Sequence, residues 1–235
     1  MKQNESPMCK DATLEAFRYF SEYLTLLGSP TRDELERLDE TDETGRIFAL
    51  ASDEAKQRFA HSILVAVTRN SSLDIPEEIA LEALRAVCSG HVLYSFADSL
   101  FSKEVPPELR KSVFDKMLAL FTDVFPLRCE NKRIQDVVNS EGLWNPLCYM
   151  WWDLLPRRGE PDDAHLRATD IQIVDLLGQV LKVDHIACKQ SALLGLSNWS
   201  RFLPAETAAT IDEQLSAIPE LLRDSALKAK SGELW

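Results

Sequence analysis

The sequence predicts an all-α protein, a stack of antiparallel helix pairs with about ten helices across 235 residues. Three observations carry that expectation. Apolar residues recur at three- and four-residue steps between the breaks, whereas strict alternation over six residues occurs nowhere. Glycine numbers only 8, which argues against a β-rich or nucleotide-loop architecture. The breaks themselves hold helix-start and helix-stop residues in the order helices need.

Residues 1–10 are polar and read as a flexible tail, leaving 11–235 as a single helical domain. Asp11 or Thr13 opens a helix carrying Leu14, Phe17, Phe20, Leu24 and Leu27, which Gly28 and Pro30 close. Thr31 and Glu34 have capping-box spacing, so a short helix with Leu35 and Leu38 follows. The acidic run 33–54 includes DETDETG, similar in composition to a calcium loop but without its alternating ligands, central Gly and closing Glu. It reads as a solvated loop.

Ser52 is placed to cap a helix that buries Phe59, Ile63, Ala66 and Val67. Pro76 suits the first turn of the next, where its missing amide is no loss, and Ile79, Ala83, Leu84 and Val87 face inward there. Residues 92–101 form a short helix. Pro106 and Pro107 start another, striped by Leu109, Val113, Met117, Leu118, Phe121 and Val124 as far as Pro126. A further helix is expected over 131–138, and an aromatic-rich one, GLWNPLCYMWWDLLP, over 142–156. The stretch RRGEPDD, 157–163, is the most loop-like of the second half and a candidate subdomain boundary.

Residues 171–204 are the centre of the prediction. In the first helix Ile171, Val174, Leu177 and Leu181 keep helical spacing, with Thr169 or Asp170 placed to cap it. The short link Lys182-Val183-Asp184 turns the chain back, and Asp184 is placed to cap the second helix. That helix is apolar on most of its circumference, the pattern of a helix packed between others. Cys188, Ala192 and Gly195 are small residues that let a neighbouring backbone approach. Gly195 is worth about 1 kcal/mol less than Ala inside a helix, so close packing is its natural reason. Pro204 ends the pair, and helices over 206–218 and 219–230 finish the chain.

The pair resembles a HEAT-type repeat unit, with Leu176-Leu177 in the outer helix and the Ala-Leu-x-Gly-Leu run Ala192 to Leu196 in the inner one. It differs in having no Asp-Pro turn and in placing Lys189 or Gln190 where the family has an inner-helix Arg. The resemblance covers 171–204 and implies a helical stack used as a binding surface without catalysis.

A formal net charge of −12 disfavours nucleic acid as a partner, because phosphate binding gathers Lys and Arg on one face. The cysteines, 5 in number, are widely spaced and never in a C-x-x-C pair, as in a reducing compartment. The first residues lack the apolar core of a signal peptide, and no window is apolar for 18 residues, so a cytoplasmic protein away from membranes is expected. No Ser lies in a G-x-S-x-G elbow and no phosphate loop is present. His185-x-x-Cys188 places two ligand types on neighbouring helical turns but has no second pair, so no metal and no cofactor is expected.

What remains is the aromatic cluster Trp144, Tyr149, Trp151 and Trp152 with Arg157 and Arg158 beside it. Adjacent Trp151 and Trp152 project about 100° apart on a helix, so either one is partly exposed or both fill gaps between layers. Trp beside Arg is the composition of binding hot spots. The expected function is therefore a non-enzymatic protein-interaction module anchored by Trp144, Trp151, Trp152, Arg157 and Arg158. The alternative is a helical enzyme or small-ligand-binding protein with a dispersed site, its first suspects His61, His91 and His185.

Overall fold

Caps and prolines divide the chain where the computed structural model places its helices; it describes residues 52–69, 77–88, 96–137, 143–155 and 162–233. The helices are α1 (Asp53–Arg69), α2 (Glu77–Cys88), α3 (Phe96–Ser99), α4 (Pro107–Ala119) and α5 (Phe125–Arg128). They continue as α6 (Trp144–Leu154), α7 (Ala164–Val180), α8 (Ile186–Ser200), α9 (Pro204–Glu213) and α10 (Arg223–Ser231). Among the described residues there is no strand, and the protein is all-α. The tail 1–10, the helices expected from 11 and 31, the loop DETDETG, Pro76, His91 and residues 157–161 lie outside the described residues.

The chain forms two compact units, Met1–Lys116 and Met117–Trp235. The loop-like stretch at 157–163 falls inside the second. In the first unit, the Ser52 hydroxyl accepts the Ala55 amide at 3.2 Å, the cap expected of it. Ala60, Ile63, Leu64 and Val67 of α1 are buried, as are Ala80, Ala83, Leu84 and Val87 of α2. Phe59 stacks on Phe96 at 5.6 Å. The helix expected over 92–101 is a single turn within its described part, α3, and buried polar groups hold its ends. Gln57 donates to the Phe96 carbonyl and to Ser99 Oγ, and the Arg110 guanidinium donates to the carbonyls of Leu100 at 2.8 Å and Ser102 at 2.6 Å. Those bonds satisfy carbonyls that a longer helix would have satisfied internally.

The second unit is built around α8. Every residue from 187 to 200 is buried, as the apolar circumference of that helix predicts. Leu181 faces Lys189, Leu177 faces Gly195 and Asp170 faces Trp199, so α7 and α8 run antiparallel. Cys148 faces Ser191, Trp152 faces Gly195 and Asp153 faces Asn198, so α6 lies parallel to α8. The polar side chains of α8 each tie down a different neighbour. Gln190 accepts the Ile134 amide at 2.8 Å and Ser197 donates to the Glu233 carbonyl at 2.9 Å. Trp199 Nε1 donates to Asp170 at 2.9 Å, and Lys189 donates to the Leu181 carbonyl at the end of α7.

Several local expectations are corrected. The first helix of the central pair begins at Ala164 because Asp163 accepts the amides of His165 and Leu166 at 2.9 and 3.1 Å; Thr169 and Asp170 lie inside it. Asp184 does not cap α8, since Asn131 Oδ1 takes the Ile186 amide at 2.6 Å instead. The helix expected over 131–138 is only a 3-10 turn, Ile134–Asp136, because Gln190 captures the amide that would have extended it. Pro204 starts α9 as well as ending α8. Pro219 holds Ile218 extended, so 3-10 turns at Leu215–Ala217 and Glu220–Leu222 interrupt the last two helices and α10 starts at Arg223. Gly232, in the left-handed conformation at φ 76, closes α10.

Gly195 is where α6, α7 and α8 meet. A methyl group there would sit 2.6 Å from Leu177 Cδ2 and 3.0 Å from Cβ and Cγ of Trp152. Replacement by a branched residue must push helices apart. Gly195→Val is expected to lower stability by about 1–3 kcal/mol. Urea unfolding followed by circular dichroism reads the change; an unaltered midpoint would show that the three helices are not in close contact.

Candidate functional site

The aromatic cluster is core. Trp144, Trp151 and Trp152 are 2%, 0% and 0% exposed. Of the two alternatives for the adjacent tryptophans, partial exposure of one is excluded and both fill gaps between layers: α6 packs against α8 on one side and against the segment 120–128 on another, so both directions are interior. Phe121 stacks on Trp152 at 5.2 Å and meets Trp151 edge-on at 6.4 Å, while Phe125 meets Trp144 and Trp151 at 6.3 and 6.1 Å. Offset and edge-on ring pairs of this kind add to simple burial. The helical stripe of α4 continues through a π-helical turn, Leu120–Val124, closed by the Phe125 amide on the Leu120 carbonyl. Pro126 explains the widened turn: it has no amide for the Thr122 carbonyl, and its ring crowds it. The widening brings Phe121 and Phe125 onto the rings of α6.

At the edge of this cluster the surface is apolar. Arg128 lies over the Trp144 ring, 5.9 Å from its centre. Asn145 exchanges two hydrogen bonds with the Glu130 backbone, at 2.9 and 3.1 Å, fixing the end of α5 beside the start of α6. Each of the two elements joined by those contacts carries an exposed leucine: Leu127 on α5, 70% exposed, and Leu143, just before α6, 44% exposed. Met150, also exposed, is two helical turns along α6 from Leu143. Sequence reading passed over Leu127 and Leu143 because isolated leucines carry no signal of exposure; only the burial of the tryptophans reveals which side of α6 is outward. Arg157 and Arg158 lie outside the described residues.

The second cluster sits at the start of α8. Cys129, Cys148 and Cys188 are buried and free. The Cys148 thiol neighbours both Cys129 and Cys188, and the Cys188 thiol donates to the Phe121 carbonyl at 3.7 Å. Burial pushes the Cys148 thiol well above its ordinary range, and its two thiol neighbours add to the rise. Cys188 moves the other way: the hydrogen bond from Cys148 lowers it, and His185 and Lys189 reinforce the shift. Cys188 stands in the first turn of α8, where the helix end favours a thiolate. His185 is buried and neither ring nitrogen makes a well-formed hydrogen bond, although the imidazole is close enough to stabilise the Cys188 thiolate. The pairing His185-x-x-Cys188 is thus real in space. Among the described residues, however, no three His, Cys, Asp or Glu side chains gather as a metal site would require.

His61 is the third candidate. It is hydrogen-bonded to Ser112 at 2.8 Å, an arrangement invisible in sequence because 51 positions separate them. A nucleophilic serine needs its histidine held by a carboxylate that stabilises the imidazolium. Here burial lowers the affinity of His61 for a proton, and Lys116 and Arg69 lower it further. The surroundings oppose the charged form that general-base work would create.

Comparison with known proteins returned no matching family model, no similar curated protein and no similar solved structure.

Two outcomes test this geometry. Because the native His61 binds a proton less readily than the free side chain at 6.5, the unfolded chain takes up that proton first as the pH falls. Its contribution to stability is therefore full above that value and is lost as pH falls from it toward the lower native one. His61→Gln is expected to shrink the drop in melting temperature between pH 7.5 and pH 5; an equal drop in both proteins would remove His61 from the account. Trp199→Phe leaves the Asp170 carboxylate short of one donor and is expected to lower stability by about 1–3 kcal/mol in urea unfolding.

Proposed function

We propose that this protein is a non-enzymatic interaction module whose helical surface docks a protein partner. The observation that carries the reading is the set of exposed apolar side chains, Leu127, Leu143 and Met150, on the two elements that also form the Arg128–Trp144 contact. An apolar centre backed by a rigid, aromatic-filled interior is pre-organised, so little order is lost on binding. The residues assigned to the contact change within the same site: the tryptophans stiffen the face from beneath, and the leucines and Arg128 meet the partner. The net charge of −12 favours a partner with a basic rim around its apolar contact and disfavours nucleic acid.

The succession of α6, α7 and α8, with α6 parallel and α7 antiparallel to α8, supports reading this half as HEAT-like, in which successive inner helices lie side by side. Buried free thiols support a reducing, cytoplasmic setting. Among the described residues no helix is long and apolar enough to cross a membrane.

Affinity capture from cells that make the protein, with Leu127→Glu/Leu143→Glu as the comparison, tests the reading. A stoichiometric partner is expected on the unaltered protein, with retention reduced about tenfold or more on the variant, as removal of central apolar anchors does. Both substituted positions are exposed, so the variant is expected to melt with the unaltered protein. Equal retention by the two would place the contact elsewhere.

A further inference from the structure

Three thiols, an imidazole and an ammonium meet where α8 begins. Cys188 lies in its first turn, Cys148 faces it from α6, and Cys129 touches Cys148 from the far side. Cys129 neighbours Cys148, Cys148 neighbours Cys188, and Cys188 neighbours His185. A cage for a metal ion needs three or four ligands around one point, and no such gathering occurs among the described residues. Neighbouring thiols without a metal-type cage are suited to bond formation with each other.

The helix packing brings the two backbones that carry the thiols together. A disulfide needs two α-carbons drawn close and their β-carbons directed at each other. Ser191, one turn beyond Cys188, donates to the Cys148 carbonyl itself, and Gly195, one turn further, lies against the Trp152 side chain. The two backbones are therefore in close approach along the same face that carries both thiols. The thiols also differ in chemistry as a reacting pair must. Cys188 has the helix end, His185 and Lys189 to stabilise its thiolate, whereas Cys148 is enclosed and held as the thiol.

We propose that Cys148 and Cys188 are a reversible dithiol–disulfide pair, oxidised by a hydroperoxide such as hydrogen peroxide. In the first step the Cys188 thiolate attacks the peroxide oxygen: an S–O bond forms, the O–O bond breaks, and the departing hydroxide takes a proton to become water. Cys188 is then a sulfenic acid, sulfur oxidised by two electrons and peroxide reduced by two. In the second step Cys148 Sγ attacks Cys188 Sγ, the S–S bond forms, the S–O bond breaks, and the hydroxyl leaves with the Cys148 proton as a second water. His185, buried beside Cys188, is positioned to relay the proton given up by Cys188 to the departing hydroxide of the first step. Peroxide reaches the pair by way of the segment 130–137. Glu130, Asn131, Lys132, Gln135 and Asp136 are exposed, and the segment is fastened to α8 through Asn131 on the Ile186 amide and through Gln190 on Ile134 and Gln135. Access therefore requires a local opening of that short segment, which can occur without unfolding the core.

The unaltered protein decides the matter. It is exposed to hydrogen peroxide, remaining thiols are alkylated under denaturing conditions, and peptides are mapped without reduction. The expected product has lost two hydrogens and yields one cross-linked peptide pair joining Cys148 to Cys188, which dithiothreitol releases. Cys129→Ser is expected to retain the link, and Cys188→Ser to lose it while keeping the helical circular dichroism spectrum. A Cys129–Cys148 link in its place, a Cys188 oxidised onward to sulfinic acid with Cys148 still free, or both thiols fully alkylated would each overturn the assignment.

Discussion

The second unit depends on burying one helix on every side. An apolar helix can be surrounded by apolar neighbours at no cost in hydrogen bonds, but α8 also carries Lys189, Gln190, Ser191, Ser197, Asn198 and Ser200 into the interior. Each such group is destabilising unless a partner replaces water. The partners come from different places: the end of α7, the 3-10 turn at Ile134–Asp136, the Cys148 carbonyl on α6, and the Glu233 carbonyl beyond α10. Hydrophobic contact alone would allow these elements to slide along α8. The polar bonds fix their register, because a shift of one residue would leave a buried donor unpaired.

That same division separates what could be read from the sequence and what could not. The all-α class and the enclosed central helix were legible because apolar spacing reports burial directly, and Ala192 and Gly195 reported close approach. The starts of α7 and α8 were not. Asp170 resembles a cap in sequence and serves instead as the acceptor of an indole 29 positions away, while the role expected of Asp184 is filled by Asn131, 55 positions earlier than the amide it binds. A side-chain oxygen looks the same in sequence whether its amide is two residues away or across the unit. The 3-10 turn at 134–136 was misread for the same reason, since a long-range bond from Gln190 overrides local helix preference.

The candidate sites followed the same logic. The tryptophans stood out by composition, yet their large apolar area is what draws them inside, leaving the less conspicuous Leu127 and Leu143 at the surface. Cys129, Cys148 and Cys188 looked unrelated at separations far beyond any motif, and only the parallel packing of α6 on α8 assembles them. His61 and Ser112 show the converse, a catalytic-looking pair whose burial and cationic neighbours oppose the charged imidazole.

The parallel arrangement of α6 and α8 also bears on how the chain reaches this state. Two parallel neighbours cannot be joined by a tight turn, so α7 must cross back between them before α6 has its partner. During synthesis Phe121, Phe125, Trp144, Trp151 and Trp152 emerge well before Gly195, against which Trp152 finally rests. The most aromatic stretch of the chain therefore waits, with its rings uncovered, for a helix some 40 residues behind it (an interval of a few seconds at ~5–20 residues per second). Loop closure over that distance precedes the contacts that reward it, which makes docking of α8 the slow event and the nascent second unit the point at which self-association competes with folding.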